Sequence, residues 1–135
     1  MKKPYQPLVQ LLYIIILLIP TLVACDRVSN QEETIDTVLE WGRLSPFPES
    51  AENVTIKTEG SMFTRAFRVT FTASKDEVTQ WLSHSPGTQN VTPIPENDTS
   101  SKYVIDPGGG AQYAEIVIRE VNEQTLSVEI YTYWS

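Results

Sequence analysis

One cysteine, one histidine and ten basic residues in 135 close off several kinds of chemistry at once. With a single thiol, Cys25, no disulfide can form within the chain, so any fold must rest on its apolar core. A zinc site built on paired histidines lacks its second member, and so does a Cys–His nucleophile pair if Cys25 is otherwise engaged. The ten Lys and Arg residues face seventeen Asp and Glu, for a net charge of −7. They are scattered, whereas a phosphate-binding surface clusters them, which argues against nucleic acid as a partner. Long apolar runs are also missing: the stretch from Leu8 to Ile19 has about 12 residues, and a bilayer span needs about 20.

That stretch opens the positive evidence. Lys2 and Lys3 precede it and Leu22-Val23-Ala24-Cys25 follows, the three-part order of a secretory leader. The closing tetrapeptide resembles the lipobox of bacterial lipoproteins. That resemblance implies cleavage before Cys25 and lipidation of its sulfur and new amino group, palmitate-like chains included. Two or more chains anchor stably, because each buried methylene contributes about 0.8 kcal/mol. The expected division is a signal peptide over 1–24, a short tether over 25–29 from lipidated Cys25, and a single domain over 30–135. Loss of Lys2 and Lys3 leaves eight basic against seventeen acidic residues, a net charge near −9. In enterobacterial lipoproteins an aspartate after the cysteine commonly retains the protein in the inner membrane, and Asp26 holds that place. Arg27 beside it weakens the rule, so the outer membrane stays open as the alternative. A tether of five or so residues keeps the domain within about 20 Å of its anchor.

Along the remaining chain, Asn30 with Glu33, or Ser29 with Glu32, offers a capping box, and Ile35, Val38 and Leu39 recur at helical spacing until Gly42. A helix over 30–41 follows. Pro46 and Pro48 then lead into a strand in which Val54, Ile56 and Thr58 alternate with polar residues. Phe63, Phe67, Val69 and Phe71 share one face of a second strand; Arg65 falls on that face too and must sit near the strand's open end, snorkel, or meet a carboxylate. Ser74 caps a second helix with Glu77 at its third position and Val78, Trp81 and Leu82 as its stripe. From Thr88 to Ser101 the chain is rich in Thr, Asn, Pro and Ser, which predicts a surface excursion. Tyr103-Val104-Ile105 is a short strand, and Asp106 to Gly110 a mobile hairpin loop.

Two strands, about 112–121 and 126–134, end the chain. Putting the rows Ala114, Ile116, Ile118 and Leu126, Val128, Ile130 on one face demands an odd loop of three or five residues near Glu123, unless a bulge intervenes. The other face then carries Tyr113, Tyr131 and Tyr133. The predicted fold class is α+β: one small domain, order α-β-β-α-β-β-β, with two helices and an antiparallel sheet of about five strands. The second helix covers the phenylalanine face; the first either joins it or covers the tyrosines.

Catalytic patterns do not assemble. The glycines after Asp106 lack the Gly-Lys-Ser or Gly-Lys-Thr ending and following helix of a phosphate loop. His84 closes a helix, where the dipole favours it, and no nucleophile-elbow pattern supports a triad with Ser83 or Ser85. The residues from Leu44 to Leu82, above all Pro48, Ala51 and Val54 in their Pro-x-x-Ala-x-x-Val spacing, resemble small uncharacterised bacterial lipoproteins, which implies the architecture and no activity or site residue. The expected function is therefore a non-catalytic, membrane-anchored envelope lipoprotein, without cofactor or metal, that binds a protein partner through Tyr113, Tyr131 and Tyr133. Two alternatives remain at this level. One is a small-ligand or inhibitor module with its pocket between 88–101 and 107–110; the other is a hydrolase of unknown type.

Overall fold

The structure, a computed structural model, describes residues 30–135. The leader, Cys25 and the tether lie outside the described residues. The chain divides between Glu33 and Thr34, and all packing below belongs to the unit Thr34–Ser135. Helix α1 covers 30–42. Strands β1 (Glu52–Gly60) and β2 (Arg65–Ser74) precede helix α2 (Lys75–His84), and β3 (Ile94–Asn97), β4 (Ser100–Ile105), β5 (Tyr113–Asn122) and β6 (Thr125–Trp134) complete the chain. They form one six-stranded sheet of order β1-β2-β6-β5-β4-β3, antiparallel throughout. The last strand thus lies between the β1–β2 hairpin and the β3–β5 meander.

Register explains the core. Ile56, Val69, Ile130, Ile116 and Tyr103 stand opposite one another across five strands. Phe71, Val128 and Ile118 form the next row. Both helices pack on this face: Val38 of α1 and Val78 and Trp81 of α2 are buried in the same cluster as Phe67, Phe71 and Ile130. Trp41 lies 5.3 Å from Phe67, Phe47 lies 4.6 Å from Phe71, and Trp81 meets Phe71 edge-on at 5.9 Å between ring centroids. Each such aromatic or aliphatic side chain contributes about 1.5–3 kcal/mol by leaving water. Helix α1 therefore joins α2 and leaves the tyrosine face alone.

Three sequence expectations need correction. Phe63 is not on the buried face: it sits in the loop between β1 and β2, 75 % exposed beside Met62 at 90 %. Arg65, as one of its expected places required, is the first residue of β2, at its open end. The stretch 88–101 holds a sixth strand, β3, which pairing with β4 creates without burying any of its residues. Its turn is closed by Asn97, whose Oδ1 accepts from the Thr99 N–H at 2.9 Å. Residue 30 is already helical, which moves the α1 cap off Asn30; Ser29 lies outside the described residues.

The β5–β6 parity is resolved by a bulge. Glu120 pairs with Leu126 but Asn122 with Thr125, so Val121 is the extra residue and Glu123-Gln124 the two-residue turn. Both apolar rows keep to one face, as burial requires. Helix α2 starts as its sequence suggests, with the Ser74 side chain accepting from the Glu77 N–H. The reciprocal half is relayed: the Glu77 carboxylate accepts from Ser50 Oγ (2.7 Å) and the Ser50 N–H (2.9 Å), and Ser50 Oγ accepts from the Ser74 N–H (3.0 Å).

Candidate functional site

The side of the sheet away from the helices is a second surface, uncovered among the described residues. Strand alternation places Tyr113 and Glu115 of β5, Glu129, Tyr131 and Tyr133 of β6, Arg68 of β2 and Lys102 of β4 on it. Tyr113 stands opposite Tyr133, and Tyr131 has Glu115 on one side and Arg68 on the other. All three tyrosines predicted from the sequence thus share one patch.

The side chains of Tyr113 and Tyr131 are connected to each other and to the charges around them, and Tyr133 adjoins them in register. The Tyr113 hydroxyl donates to Glu115 Oε2 at 2.7 Å, and its ring centroid lies 6.2 Å from that of Tyr131. The Arg68 guanidinium sits 4.8 Å over the Tyr131 ring, a cation–π contact, and donates to Glu129 Oε1 at 3.0 Å. Arg119 approaches the same Glu129 oxygen at 3.8 Å, while Lys102 reaches Glu115 at 3.9 Å and Glu96 at 3.6 Å. Beneath these long side chains Val117, flanked in register by Lys102 and Glu129, is only 4 % exposed. The bond to Glu115, then burial, then the Glu115 and Tyr131 charges, push the Tyr113 phenol up to about 12. The patch combines three tyrosines with paired charges of both signs.

No protein-family model, curated protein or solved structure matches the chain.

Elsewhere, sequence motifs find structural employment. The glycine loop grips the end of α1: the Gly108 N–H donates to the Trp41 carbonyl at 2.8 Å, and Asp106 lies 3.8 Å from Arg43. Gly109 has φ of 60°, and a Cβ there would stand 2.5 Å from Trp41 Cδ1, so only glycine fits against that indole. The loop expected to swing freely is seated on a helix. At the same helix end Arg43 takes the left-handed position at φ 52°, with the Leu44 N–H donating to Leu39 O (2.8 Å) and the Arg43 N–H to Glu40 O (3.1 Å).

His84 ends α2 with Nδ1 2.8 Å from the Gln80 carbonyl and 3.3 Å from Ser83 Oγ. Ser83 Oγ itself donates to Gln80 O, and buried Ser85 accepts from the Ser45 N–H at 3.0 Å. These serines finish a helix. Two open hollows flank α2, one of about 400 Å³ by Phe47, Glu77 and His84 and one of about 280 Å³ by Ser50, Thr72 and Gln124. In the smaller one Ser50 and Ser74 are bonded to each other at the helix cap, and the larger is lined by Phe47, Pro48 and Trp81 beside Glu49, Glu77, Gln80 and His84.

Proposed function

We propose that this protein is a lipid-anchored, non-catalytic envelope protein whose domain binds a protein partner through the sheet face carrying Tyr113, Tyr131 and Tyr133. One observation carries the reading: both helices pack on the phenylalanine side, so the tyrosine side has no covering element among the described residues. Tyrosine and arginine are the residue types that concentrate binding energy at protein interfaces. Here they are already held in place, Tyr131 between Tyr113 and Arg68, so docking would lose little side-chain freedom. Balanced acids and bases around them suit a polar protein surface better than a polyanion. The anchor at Cys25 is inferred from the leader alone.

Crosslinking in the native membrane tests the face. Tyr131→Ala and Tyr133→Ala should each reduce the crosslinked product while the circular dichroism of the folded domain persists; undiminished crosslinking would place the contact elsewhere. Cys25→Ala should abolish fatty-acid labelling and cleavage of the leader, and an acylated mutant would sink the anchor.

A further inference from the structure

The sheet has two edges, and they are guarded unequally. Strand β3 is four residues long and contains Pro95, which has no N–H to offer a neighbour. Strand β1 is nine residues long, contains no proline, and is exposed at every position but Ile56. No described strand pairs with its outer side. An edge of that length presents a row of unpaired N–H and C=O groups, a template for another strand.

We infer that the β1 edge pairs with β1 of a second copy of this chain, antiparallel and centred on Thr58. The charge pattern selects this occupant and this register. With Thr58 opposite the partner's Thr58, Lys57 of each copy faces the partner's Glu59, giving two reciprocal opposite-charge pairs on the open-face side of the strand. Moving the centre one residue either way sets Lys57 against the partner's Lys57, or Glu59 against the partner's Glu59. The same register carries the Met62–Phe63 loop of each copy toward the Val54 end of the other. Val54 is 42 % exposed, Met62 90 % and Phe63 75 %, so the pairing gives these apolar side chains something to cover. A two-fold axis normal to the sheet joins two six-stranded sheets into one and sets both tyrosine faces on the same side.

The test uses the full-length chain in mild detergent, with Cys25→Ser throughout so that any thiol is an introduced one. Thr58→Cys should give a disulfide-linked dimer on mild oxidation, because directly opposed residues lie within about 5.5 Å. Thr55→Cys, which faces the partner's Ser61, should not. Lys57→Glu should abolish the dimer in sedimentation and crosslinking, and Lys57→Glu with Glu59→Lys should restore it, which a folding defect could not. A chain that stays monomeric overturns the proposal, as does crosslinking through position 55 but not 58, or a dimer indifferent to Lys57→Glu. A monomer whose β1 amides resist hydrogen exchange overturns it as well, by showing that the chain covers its own edge.

Discussion

The two faces of this sheet are built from the same strands and do opposite things. On one, Phe67, Val69, Phe71, Ile116, Val128 and Ile130 meet two helices, and nearly every contact is apolar. On the other, Arg68, Lys102, Glu115, Arg119 and Glu129 lie among three tyrosines, and long charged side chains stand in for a helix layer by covering Val117. Alternation at period two lets one strand serve both. The difference lies in where stability comes from: burial on the closed face, and on the open face pairwise contacts that are individually weak in water.

Phe71 is 1 % exposed and in contact with both Phe47 and Trp81. Phe71→Ala should cost about 3–5 kcal/mol in chemical denaturation, and Phe67→Ala, beside Trp41, falls in the same range. Thr70→Ala, one residue away on the open face, should cost about 0.5 kcal/mol or less. Equal losses at positions 70 and 71 would erase the distinction between the faces. Tyr131→Ala belongs between them, at about 1–2 kcal/mol, because it removes one aromatic pair and one cation–π contact. Tyr131→Phe keeps both rings in place and should be nearly silent in the same assay.

How far the sequence foretells this depends on what drives each element. Periodicity locates both helices and strands β2, β5 and β6 because burial drives them: Val38, Val78, Val69 and Ile130 are buried at the spacing their elements impose. Strands β1 and β4 were legible too, the first from alternation although only Ile56 in it is partly buried, the second as a short apolar run. Strand β3 was not legible, since Ile94–Asn97 buries nothing and exists only through backbone pairing. Phe63 misled for the converse reason: alternation continues through it, but the turn begins at Ser61, whose N–H donates to the Thr64 carbonyl. The tyrosine patch follows from parity alone. What parity could not supply is which face α1 chooses, a matter of tertiary packing that the Trp41–Phe67 contact decides. Nor does any local pattern announce that Gly109 lies against the Trp41 indole or that the Gly108 N–H bonds to the Trp41 carbonyl.

Thr132 sharpens the comparison from inside the closed face. It is fully buried between Phe67 and Ala114 in register, and its hydroxyl is the buried side-chain polar atom left without a hydrogen-bond partner among the described residues. An unmade bond in such a place costs roughly 1–3 kcal/mol. Thr132→Val keeps the shape and removes the oxygen, so it should stabilise the domain by about 1 kcal/mol. The matching change at Thr70, whose hydroxyl meets that of Thr55 on the open side, should give no such gain. A destabilised Thr132→Val variant would mean that the hydroxyl has a partner after all.

The smallest effects are electrostatic, and each side of the sheet supplies one of opposite sign. At the α2 cap, the bonds from the Ser50 hydroxyl and N–H hold the Glu77 carboxyl below its ordinary range. A group depressed in the folded state adds stability that is present above its unfolded pKa and disappears as pH falls through the folded one. Stability should therefore decline on the acid side below about pH 4.5, and Ser50→Ala should flatten that slope. On the open face, Tyr113 is raised to about 12 by its bond to Glu115, so the folded domain holds the phenolic proton more tightly than the unfolded chain does. That contribution is whole below pH 10 and disappears as pH rises from 10 toward about 12. Glu115→Gln removes the charge that opposes ionisation, so it should lower the phenol's titration midpoint and shrink the alkaline slope, read by tyrosinate absorbance at 295 nm or so alongside denaturation midpoints. Tyr113→Phe should shrink that slope, leaving the part that comes from Tyr103, raised by burial, and Lys75, raised by its bond to Glu120, and should leave the acid slope untouched. If Tyr113→Phe leaves the alkaline slope unchanged, the Tyr113–Glu115 bond is not what couples the open face to pH.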